Sequence, residues 1–389
     1  MIKGIKKKLI ILLAICICAN LLSGTAVFAK LGTEIKSPSA VLMDAATGAM
    51  LFEKNPHERL EPASITKIMT LLLTFEAIDN GEASPNDVIK ISERAWKTGG
   101  SQVFLALGEE QTLETLTKCI IVASANDASV AVAEHIGGSY EGFVLKMNEK
   151  AKVLGMDNTS FKNPHGLSEE GHFSSAHDIA IMSKEMVAFD TFFRWSSTWL
   201  DYLEHTDRKR DATMLANTNK LLGKYEGLDG IKTGFHSKAG HCFVGTAKRD
   251  DFRLISVVLN ADKTEDRFDD TVNLLDFGFG NFDSMQVIKK DSIQKSLVVE
   301  KGATSNVNIV ASKDINILTP KGKGQTITTK MVIPEKLTAP IQKGEKVGSL
   351  TVERDEEILE TIDLIVSDDI ERVNFFGMMK KVFNKWIQL

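Results

Sequence analysis

A helix that is apolar around its whole circumference constrains the fold of this chain more than any other feature. The pattern opens at Pro62, runs over residues 64–79 and ends at Gly81. The apolar side chains that occupy its faces are Ile65, Ile68, Met69, Leu71, Leu72, Leu73 and Phe75. Since a helix without a polar face cannot lie on a protein surface, we expect this one in the middle of a domain.

The segments on either side of this helix predict an α+β domain. Strands are expected at residues 39–44, 49–52, 241–248 and 252–260, and further helices at 112–136, 140–154, 176–189 and 271–279. Strands at both ends with helices between them predict one sheet that is built from the terminal segments of the domain.

From residue 284 onward the pattern changes to short, alternating β segments. They lie at residues 307–310, 315–318, 326–333, 347–352 and 358–366. We therefore expect a first domain over residues 30–283 and a small all-β domain over residues 284–368.

Both ends of the chain carry segments that indicate a membrane. Residues 1–29 combine four lysines, an apolar run and small residues at the end, which is the pattern of a secretory signal peptide. An uncleaved anchor is the alternative, although the run is short for a membrane span. Residues 369–389 predict a helix with one aromatic and one basic face, suited to a membrane interface or to docking on the β domain. We expect a protein secreted across the cytoplasmic membrane and peripheral on its outer face.

Charge and cysteine content exclude other classes. The net charge of the 389 residues is −5, and loss of the four leader lysines leaves 43 basic against 52 acidic residues. Nucleic acid is therefore not an expected partner. Cys119 and Cys242 lie in apolar sequence, so we expect buried thiols and no disulfide framework. No His/Asp/Glu set stands at metal-binding spacing in the sequence, and neither a metal nor a cofactor is predicted.

Three short motifs carry reactive side chains, and each occurs twice. Ser-x-x-Lys stands at 64–67 and 292–295, Ser-x-Asn at 124–126 and 84–86, and Lys-Thr-Gly at 232–234 and 97–99. The copy at 64 lies at the start of the apolar helix. The copy at 124 lies within an apolar helical run, and the copy at 232 precedes a strand pair. The other copies lie in charged or turn-like sequence, where we expect no catalytic role.

The copies that begin at residues 64, 124 and 232 have the chemistry of a nucleophile site. At a helix start, Ser64 and Lys67 share a face, so that the amine can reach the hydroxyl. A lysine in an apolar pocket can lose its proton near neutral pH and act as a base. Ser124 and Asn126 interrupt a buried run, where polar groups need partners. The alternative for Ser64 is an ordinary N-cap serine beside a solvated lysine.

In this order the three motifs resemble the set that penicillin-binding proteins and serine β-lactamases share. Segments 62–64, 124–128, 155–161 and 163–167 are similar to the low-molecular-mass D-alanyl-D-alanine carboxypeptidases, serine peptidase family S11. The resemblance covers nearly all of the mature chain. It implies a β-lactamase/transpeptidase-like catalytic domain with an antiparallel sheet and a helical cluster, followed by the β domain and the C-terminal amphipathic helix.

The resemblance also implies an activity. The enzyme would remove the terminal D-alanine from peptidoglycan stem peptides without a cofactor, and β-lactam antibiotics would acylate it. Ser64 would be the nucleophile, Lys67 its general base and Ser124 a proton relay to the leaving D-alanine.

Substrate-binding roles follow from the same resemblance. Asn126 would bind the peptide amide, and the backbone N–H groups of Ser64 and Phe235 would form the oxyanion hole. The residues implied around the terminal carboxylate are Lys232, Thr233 and Arg267. Gly234 is expected on the same strand, where the lack of a side chain allows the backbone to approach closely. A plain charged loop around Arg267 is the alternative. Where the family often has threonine two residues after the Lys-Thr-Gly glycine, this chain has His236, expected to form a local hydrogen bond.

Three other functions remain open at this point. A β-lactamase would need a deacylating element, and residues 160–180 contain no Glu-x-x-x-Asn such as the class A enzymes use. A D,D-endopeptidase or transpeptidase would use the same residues. A catalytically silent wall-binding scaffold would keep the fold alone.

Overall fold

The computed structural model describes Gly32, residues 34–206, 210–322 and 326–374, Gly377 and Met379. The predicted signal peptide and nearly all of the amphipathic part of the predicted C-terminal helix lie outside these residues. The described residues contain no helix that is both long and apolar enough to span a bilayer. The chain divides into a short unit up to Glu34 and a main unit from Ile35 onward.

The part before residue 282 contains a sheet and a set of helices. In chain order its elements are β1 (Ser39–Asp44), β2 (Met50–Lys54), a 3-10 helix (Ala63–Thr66), α1 (Lys67–Asp79), β3 (Val88–Lys90), α2 (Glu93–Lys97), β4 (Glu110–Thr112), α3 (Leu113–Ala123), α4 (Asn126–Gly137), α5 (Tyr140–Val153), α6 (Ala176–Met186), α7 (Asp190–Ser196), β5 (Leu200–Leu203), β6 (Thr213–Ala216), β7 (Leu228–His236), β8 (Gly240–Arg249), β9 (Phe252–Ala261) and α8 (Thr264–Asn281).

Five strands form one antiparallel sheet in the order β2-β1-β9-β8-β7. The first strand of the domain pairs with one of its last, which confirms the prediction of a sheet built from terminal segments. Helices α6 and α8 both pack on β9, and β9 is buried along nearly its whole length. A strand buried by helices is expected to be largely apolar, and residues 254–259 of β9 are apolar except for Ser256. The order leaves β7 at one edge of the sheet.

The central apolar helix is confirmed. In α1, Ile68, Met69, Leu71 and Leu72 are fully buried, and the helix packs against α3, α4, α5 and α6. Its start differs from the prediction, because residues 63–66 form a 3-10 turn. The peptide N–H of Ile65 donates to Pro62 O at 3.1 Å, and Ala63 has a φ of +47°. Ser64 therefore lies in a tight turn that precedes the α-helix.

The predicted single helix over residues 112–136 is wrong, because it is two helices. Ser124 adopts the left-handed conformation (φ +58°) and ends α3, and α4 starts two residues later. The predicted closing helix begins at Thr264, seven residues early, so Arg267 is helical and buried. The charged-loop alternative for Arg267 is therefore wrong. Cys119 and Cys242 are buried free thiols, as predicted.

Residues 282–366 form a part whose described regular elements are all strands, as predicted for residues 284–368. Its strands are β10 (Phe282–Ile288), β11 (Ile293–Glu300), β12 (Asn306–Ala311), β13 (Ile315–Pro320), β14 (Ile327–Val332), β15 (Lys336–Thr338), β16 (Lys346–Arg354) and β17 (Glu357–Val366). They form a six-stranded sheet in the order β14-β16-β17-β12-β11-β15, and β10 pairs with β13. The core includes Ile309, Val352 and Leu364, all fully buried. The sequence pattern missed β10, β11 and β15.

Candidate active site

Ser64 and Lys67 meet at the start of the central helix. Lys67 Nζ lies 3.1 Å from Ser64 Oγ, because the 3-10 turn and the first turn of α1 place residues i and i+3 on one side. The lysine side chain is fully buried. The solvated-lysine alternative is therefore excluded, and the pair has hydrogen-bond geometry for proton transfer.

Two further oxygens fix the Lys67 amine. Nζ lies 2.7 Å from Asn126 Oδ1 and 2.6 Å from the backbone oxygen of His165. Both atoms only accept hydrogen bonds, so a neutral amine would donate its two protons to them. Its lone pair would then be left for the Ser64 hydroxyl proton. The site geometry thus suits a lysine that acts as a base.

Electrostatics favour the neutral form of this amine. Burial lowers the pKa of Lys67 well below its ordinary value, and the charge of Lys232 lowers it further, while Asp127 opposes these effects. Desolvation disfavours the charged form of a lysine, and a neighbouring cation does the same. Lys67 therefore has a lone pair at a pH where a solvated lysine is protonated.

The start of α4 positions Asn126. Its Nδ2 donates to Gly99 O at 2.7 Å, which turns Oδ1 toward Lys67, and its backbone N–H donates to Ser101 O at 2.7 Å. The buried carboxylate of Asp127 accepts the N–H groups of Val103 and Leu105 at 3.1–3.3 Å. These contacts show that residues 99–105, which follow Lys97 and Thr98 of the other Lys-Thr-Gly copy, support the site through backbone atoms.

Ser124 stands at the corner between α3 and α4. Its side chain is buried, and within the described part of the chain its Oγ has no hydrogen-bond partner. Burying a hydroxyl without a hydrogen-bond partner costs free energy, and a bound substrate could supply the missing partner. The structure does not join Ser124 to Lys67 directly, since the amine is engaged by Ser64, Asn126 and His165.

Strand β7 approaches the nucleophile at Gly234. A Cβ at this position would lie 3.0 Å from Pro62 O and 3.2 Å from Ser64 N, so a side chain here would push the strand and the nucleophile turn a few tenths of an ångström apart. The next peptide carries the N–H of Phe235, whose ring is 59 % exposed and stacks on His241 at 4.3 Å. The edge strand thus brings a backbone donor beside the nucleophile.

Lys232 and Thr233 lie on the same strand. Lys232 is buried, donates to Thr233 O at 3.2 Å, and has its pKa lowered to about 7 by burial and by the charge of Arg267. The Thr233 hydroxyl is hydrogen-bonded to that of Thr218. Thr218 belongs to none of the three motifs, and the sequence did not predict its contact with Thr233.

Arg267 supports the strand from behind. Its Nη1 donates to Gly234 O at 3.1 Å and to Cys242 O at 3.2 Å, across the β7–β8 pair. Its Nε is buried and without a hydrogen-bond partner among the described residues. The contacts that the structure shows therefore link Arg267 to the strand, and its charge acts on Lys232.

A loop after α5 covers the other side of the nucleophile turn. A Cβ at Gly166 would lie 1.8 Å from Ala63 O, and Thr70 Oγ1 donates to Pro164 O at 2.6 Å. His172 Nδ1 accepts the N–H of Lys162, so its protonated Nε2 donates to Thr66 Oγ1 at 2.8 Å. The sequence did not predict this contact between His172 and Thr66.

The histidines near the site act as hydrogen-bonding groups. Burial lowers the pKa of His165 to about 3 and that of His172 to about 4, so both are neutral at physiological pH. His236 Nδ1 accepts the N–H of Ala239 at 3.1 Å, which is the local hydrogen bond that the sequence predicted.

We expect activity to depend on the charge of Lys232. If the protonated amine binds the substrate carboxylate, KM should rise as pH increases through about 7, where Lys232 loses its proton. Lys232→Met should raise KM on the order of 100-fold below about pH 7, and by progressively less above it, where the unaltered enzyme has also lost this charge. It should also move the acidic limb of the kcat/KM profile to higher pH, because Lys67 loses a cationic neighbour. Steady-state kinetics from pH 5 to 9 measure both effects.

Lys97→Met is the matched control, since Lys97 is exposed and paired with Glu93. It should leave KM and the pH profile unchanged. An unaltered KM in Lys232→Met would remove Lys232 from carboxylate binding.

The fold and site together define a class: an active-site-serine acyl enzyme of the penicillin-recognising type. A family model described as D-alanyl-D-alanine carboxypeptidase, peptidase family S11, matches residues 25–263, and one for the C-terminal domain of penicillin-binding protein 5 matches residues 282–372. The chain belongs to the S11 family of D-alanyl-D-alanine carboxypeptidases, and it is a serine hydrolase of that kind.

Relatives and solved structures agree with this. The chain is 42 % identical over 353 residues to D-alanyl-D-alanine carboxypeptidase DacF of Bacillus subtilis, covering 90 % of each chain. It is 34 % identical to DacC of Escherichia coli, covering 94 % of each. Penicillin binding protein 5 from Haemophilus influenzae superposes with a TM-score of 0.70 at 32 % identity, over 88 % of this chain and 100 % of that one. These likenesses confirm the predicted fold class, apart from the C-terminal helix.

Proposed function

We propose that this enzyme removes the terminal D-alanine of peptidoglycan stem pentapeptides through an acyl-enzyme on Ser64. The observation that carries the proposal is the buried Lys67 amine, 3.1 Å from Ser64 Oγ and held by two carbonyl oxygens. Strand β7 lies beside this pair at the edge of its sheet, where an extended peptide could add as a further strand.

Each step uses groups of this site. Lys67 takes the Ser64 proton as Oγ attacks the carbonyl carbon of the penultimate D-alanine. The N–H groups of Ser64 and Phe235 stabilise the oxyanion. The C–N bond then breaks, and the leaving amine receives a proton by way of Ser124. Water adds to the ester in the reverse sense, releasing the shortened peptide and restoring the Ser64 hydroxyl.

The remaining polar groups bind substrate. Asn126, which already contacts Lys67, would donate to the peptide carbonyl or turn to its amide. Lys232 and Thr233 would bind the terminal carboxylate, with Thr218 holding the Thr233 hydroxyl. Arg267 would contribute positive charge through the strand, as its effect on the pKa of Lys232 indicates.

β-Lactams are proposed as acylating inhibitors of the same serine. In support, penicillin-binding protein D2 of Listeria monocytogenes was solved in an ampicillin-bound form and is 31 % identical, with a TM-score of 0.57 over 64 % of this chain. The test is mass spectrometry after penicillin treatment, with D-alanine release from a peptide that ends in D-Ala-D-Ala measured in parallel. An adduct on the Ser64 peptide and D-alanine release support the proposal.

The same assays separate the other functions. Fast steady turnover of a cephalosporin would indicate a β-lactamase, and cleavage of cross-linked peptides in preference to pentapeptides would indicate an endopeptidase. Absence of both adduct and D-alanine release would indicate a silent scaffold.

We also propose a location and a domain division. Residues 1–29 would export the enzyme, the catalytic domain would span 30–283 and the β domain 284–368, and the helix over 369–389 would hold the enzyme on the outer face of the membrane. The aromatic and basic faces of that segment support an interfacial helix. The two family models, matching 25–263 and 282–372, support the division.

We expect removal of residues 375–389 from the mature protein to release it from membranes. Hydrolysis of soluble peptide should stay within twofold, because the site lies in the catalytic part, whereas sedimentation with anionic vesicles should be lost. A truncated form that still sediments would show that the tail is not the anchor.

A further inference from the structure

Two histidines and an aspartate outside the active site come together in the fold. His57 lies in the turn between β2 and the 3-10 helix, and His177 and Asp178 lie in the first turn of α6. One nitrogen or oxygen ligand atom from each lies within 4.8 Å of the other two. The two imidazole rings are 4.6 Å apart and inclined by 50°. Because 120 residues separate His57 from His177, sequence spacing cannot show this cluster.

The backbone around these side chains is held in place. His177 N–H donates to Pro56 O at 2.9 Å, which ties the turn of His57 directly to the start of α6. On the other side of the turn, Asn55 Nδ2 donates to Pro38 O at 2.8 Å. The backbone positions of both histidines are therefore fixed before any ligand binds, which lowers the entropic cost of binding.

Asp178 is oriented as well. Its Oδ2 accepts the N–H of Asn158 and the hydroxyl of Thr159, both at 2.8 Å. Its Oδ1 faces His177 Nδ1 at 3.4 Å, which is long for a hydrogen bond. The Asp178 side chain is 2 % exposed, and that of His177 is 28 % exposed. Oδ2 of Asp178 thus has two hydrogen-bond donors, and Oδ1 faces the imidazole of His177.

We propose that His57, His177 and Asp178 form a binding site for one first-row divalent metal ion, with Zn²⁺ the best match. Two imidazole nitrogens and one carboxylate oxygen are a common zinc ligand set, and three protein ligands leave a position for water. Ligand atoms of a tetrahedral zinc site lie about 3.4 Å apart, given bonds of about 2.0–2.1 Å. The three ligand atoms lie within 4.8 Å of one another in the structure. The side chain of His57 is exposed and can rotate to bring its nitrogen to the shorter separation that zinc requires.

The charges near the cluster allow a cation. The start of α6 carries the positive end of the helix dipole, but the Asp178 carboxylate lies in that first turn and offsets it. The nearby Arg59 is engaged elsewhere, by Asn158 Oδ1 at 3.2 Å and by the ring of Phe173. The hydrogen bonds to Asp178 Oδ2 are the outer contacts that metal-binding carboxylates usually have.

A bound ion would cross-link two segments. It would join residues 55–62, the chain that leads into the nucleophile turn, to the start of α6. Since the ion binds the folded state and the unfolded chain has no such cluster, Zn²⁺ should raise the melting temperature. None of the three residues has a described contact with Ser64, Lys67 or Lys232, so the site is separate from the chemistry.

The test is zinc titration of the full chain without a histidine tag, using competition with a chromophoric chelator and Zn²⁺ as the only added metal. We expect one ion per chain. His57→Ala and His177→Ala should each weaken binding on the order of 100-fold or more, since loss of an outer contact alone costs about 10- to 100-fold. The zinc-dependent rise in melting temperature should disappear in both variants.

His135→Ala is the matched control, because His135 also faces a carboxylate, Asp87 at 3.0 Å, but belongs to no such cluster among the described residues. It should bind zinc as the unaltered protein does. D-Alanine release by each variant reports that it is folded. Zinc affinity that is the same in His57→Ala and the unaltered protein, or no binding by the unaltered protein, would overturn the proposal.

Discussion

Replacing Ser64 with alanine is expected to lower D-alanine release at least about 10³-fold, because the nucleophile is lost while the rest of the site stays in place. The penicillin adduct should disappear altogether. Ser64 lies in a turn, and its side chain is only partly buried, so the change should leave the fold intact. Release of D-alanine from a synthetic peptide and intact-protein mass spectrometry measure the two effects.

The chain supplies its own control for this experiment. Ser292 begins the second Ser-x-x-Lys copy, and its hydroxyl donates to Lys289 O in a surface turn before β11. Ser292→Ala should keep full activity and full acylation. D-Alanine release that is unchanged in Ser64→Ala would contradict the assignment of the nucleophile.

Much of this arrangement could be predicted because its signals are local. The apolar circumference of α1 requires burial, and the structure buries it. Strand patterns at both ends of the domain predicted the sheet. The polar interruption at residues 124–126 could be recognised, although not the left-handed Ser124 that breaks the helix, since the flanking apolar residues favour helix on both sides.

Other features depend on backbone atoms and on long-range contacts. Lys67 is held in part by the backbone oxygen of His165, and residue types do not reveal the use of a carbonyl group. Thr218, two residues after the end of β6, reaches Thr233 in β7 across 15 positions of the sequence, and no local pattern signals that contact. Strand β11 was missed because only Leu297 and Val299 are buried in it, which leaves little apolar alternation to detect.

Replacing Lys67 should reduce acylation almost as strongly as replacing Ser64. A general base contributes roughly 10²- to 10⁴-fold, and we expect a loss of about 10³-fold in kcat/KM for Lys67→Met. Methionine would also leave Asn126 Oδ1 and His165 O without a donor, so a loss of activity alone would not separate chemistry from positioning.

Lys67→Arg makes that separation. Arginine still supplies N–H donors for both carbonyl oxygens, but the guanidinium does not lose its proton in proteins and cannot act as a base. We therefore expect Lys67→Arg to be as inactive as Lys67→Met at every pH, whereas the unaltered enzyme gains activity as Lys67 deprotonates. The rate of penicillin acylation between pH 5 and 9 measures this.

Lys295→Met, in the second Ser-x-x-Lys copy, should acylate normally. If Lys67→Arg kept its acylation rate within tenfold of the unaltered enzyme, Lys67 would be a positioning residue, because a permanently protonated side chain can hold the two carbonyl oxygens but cannot accept the proton of Ser64.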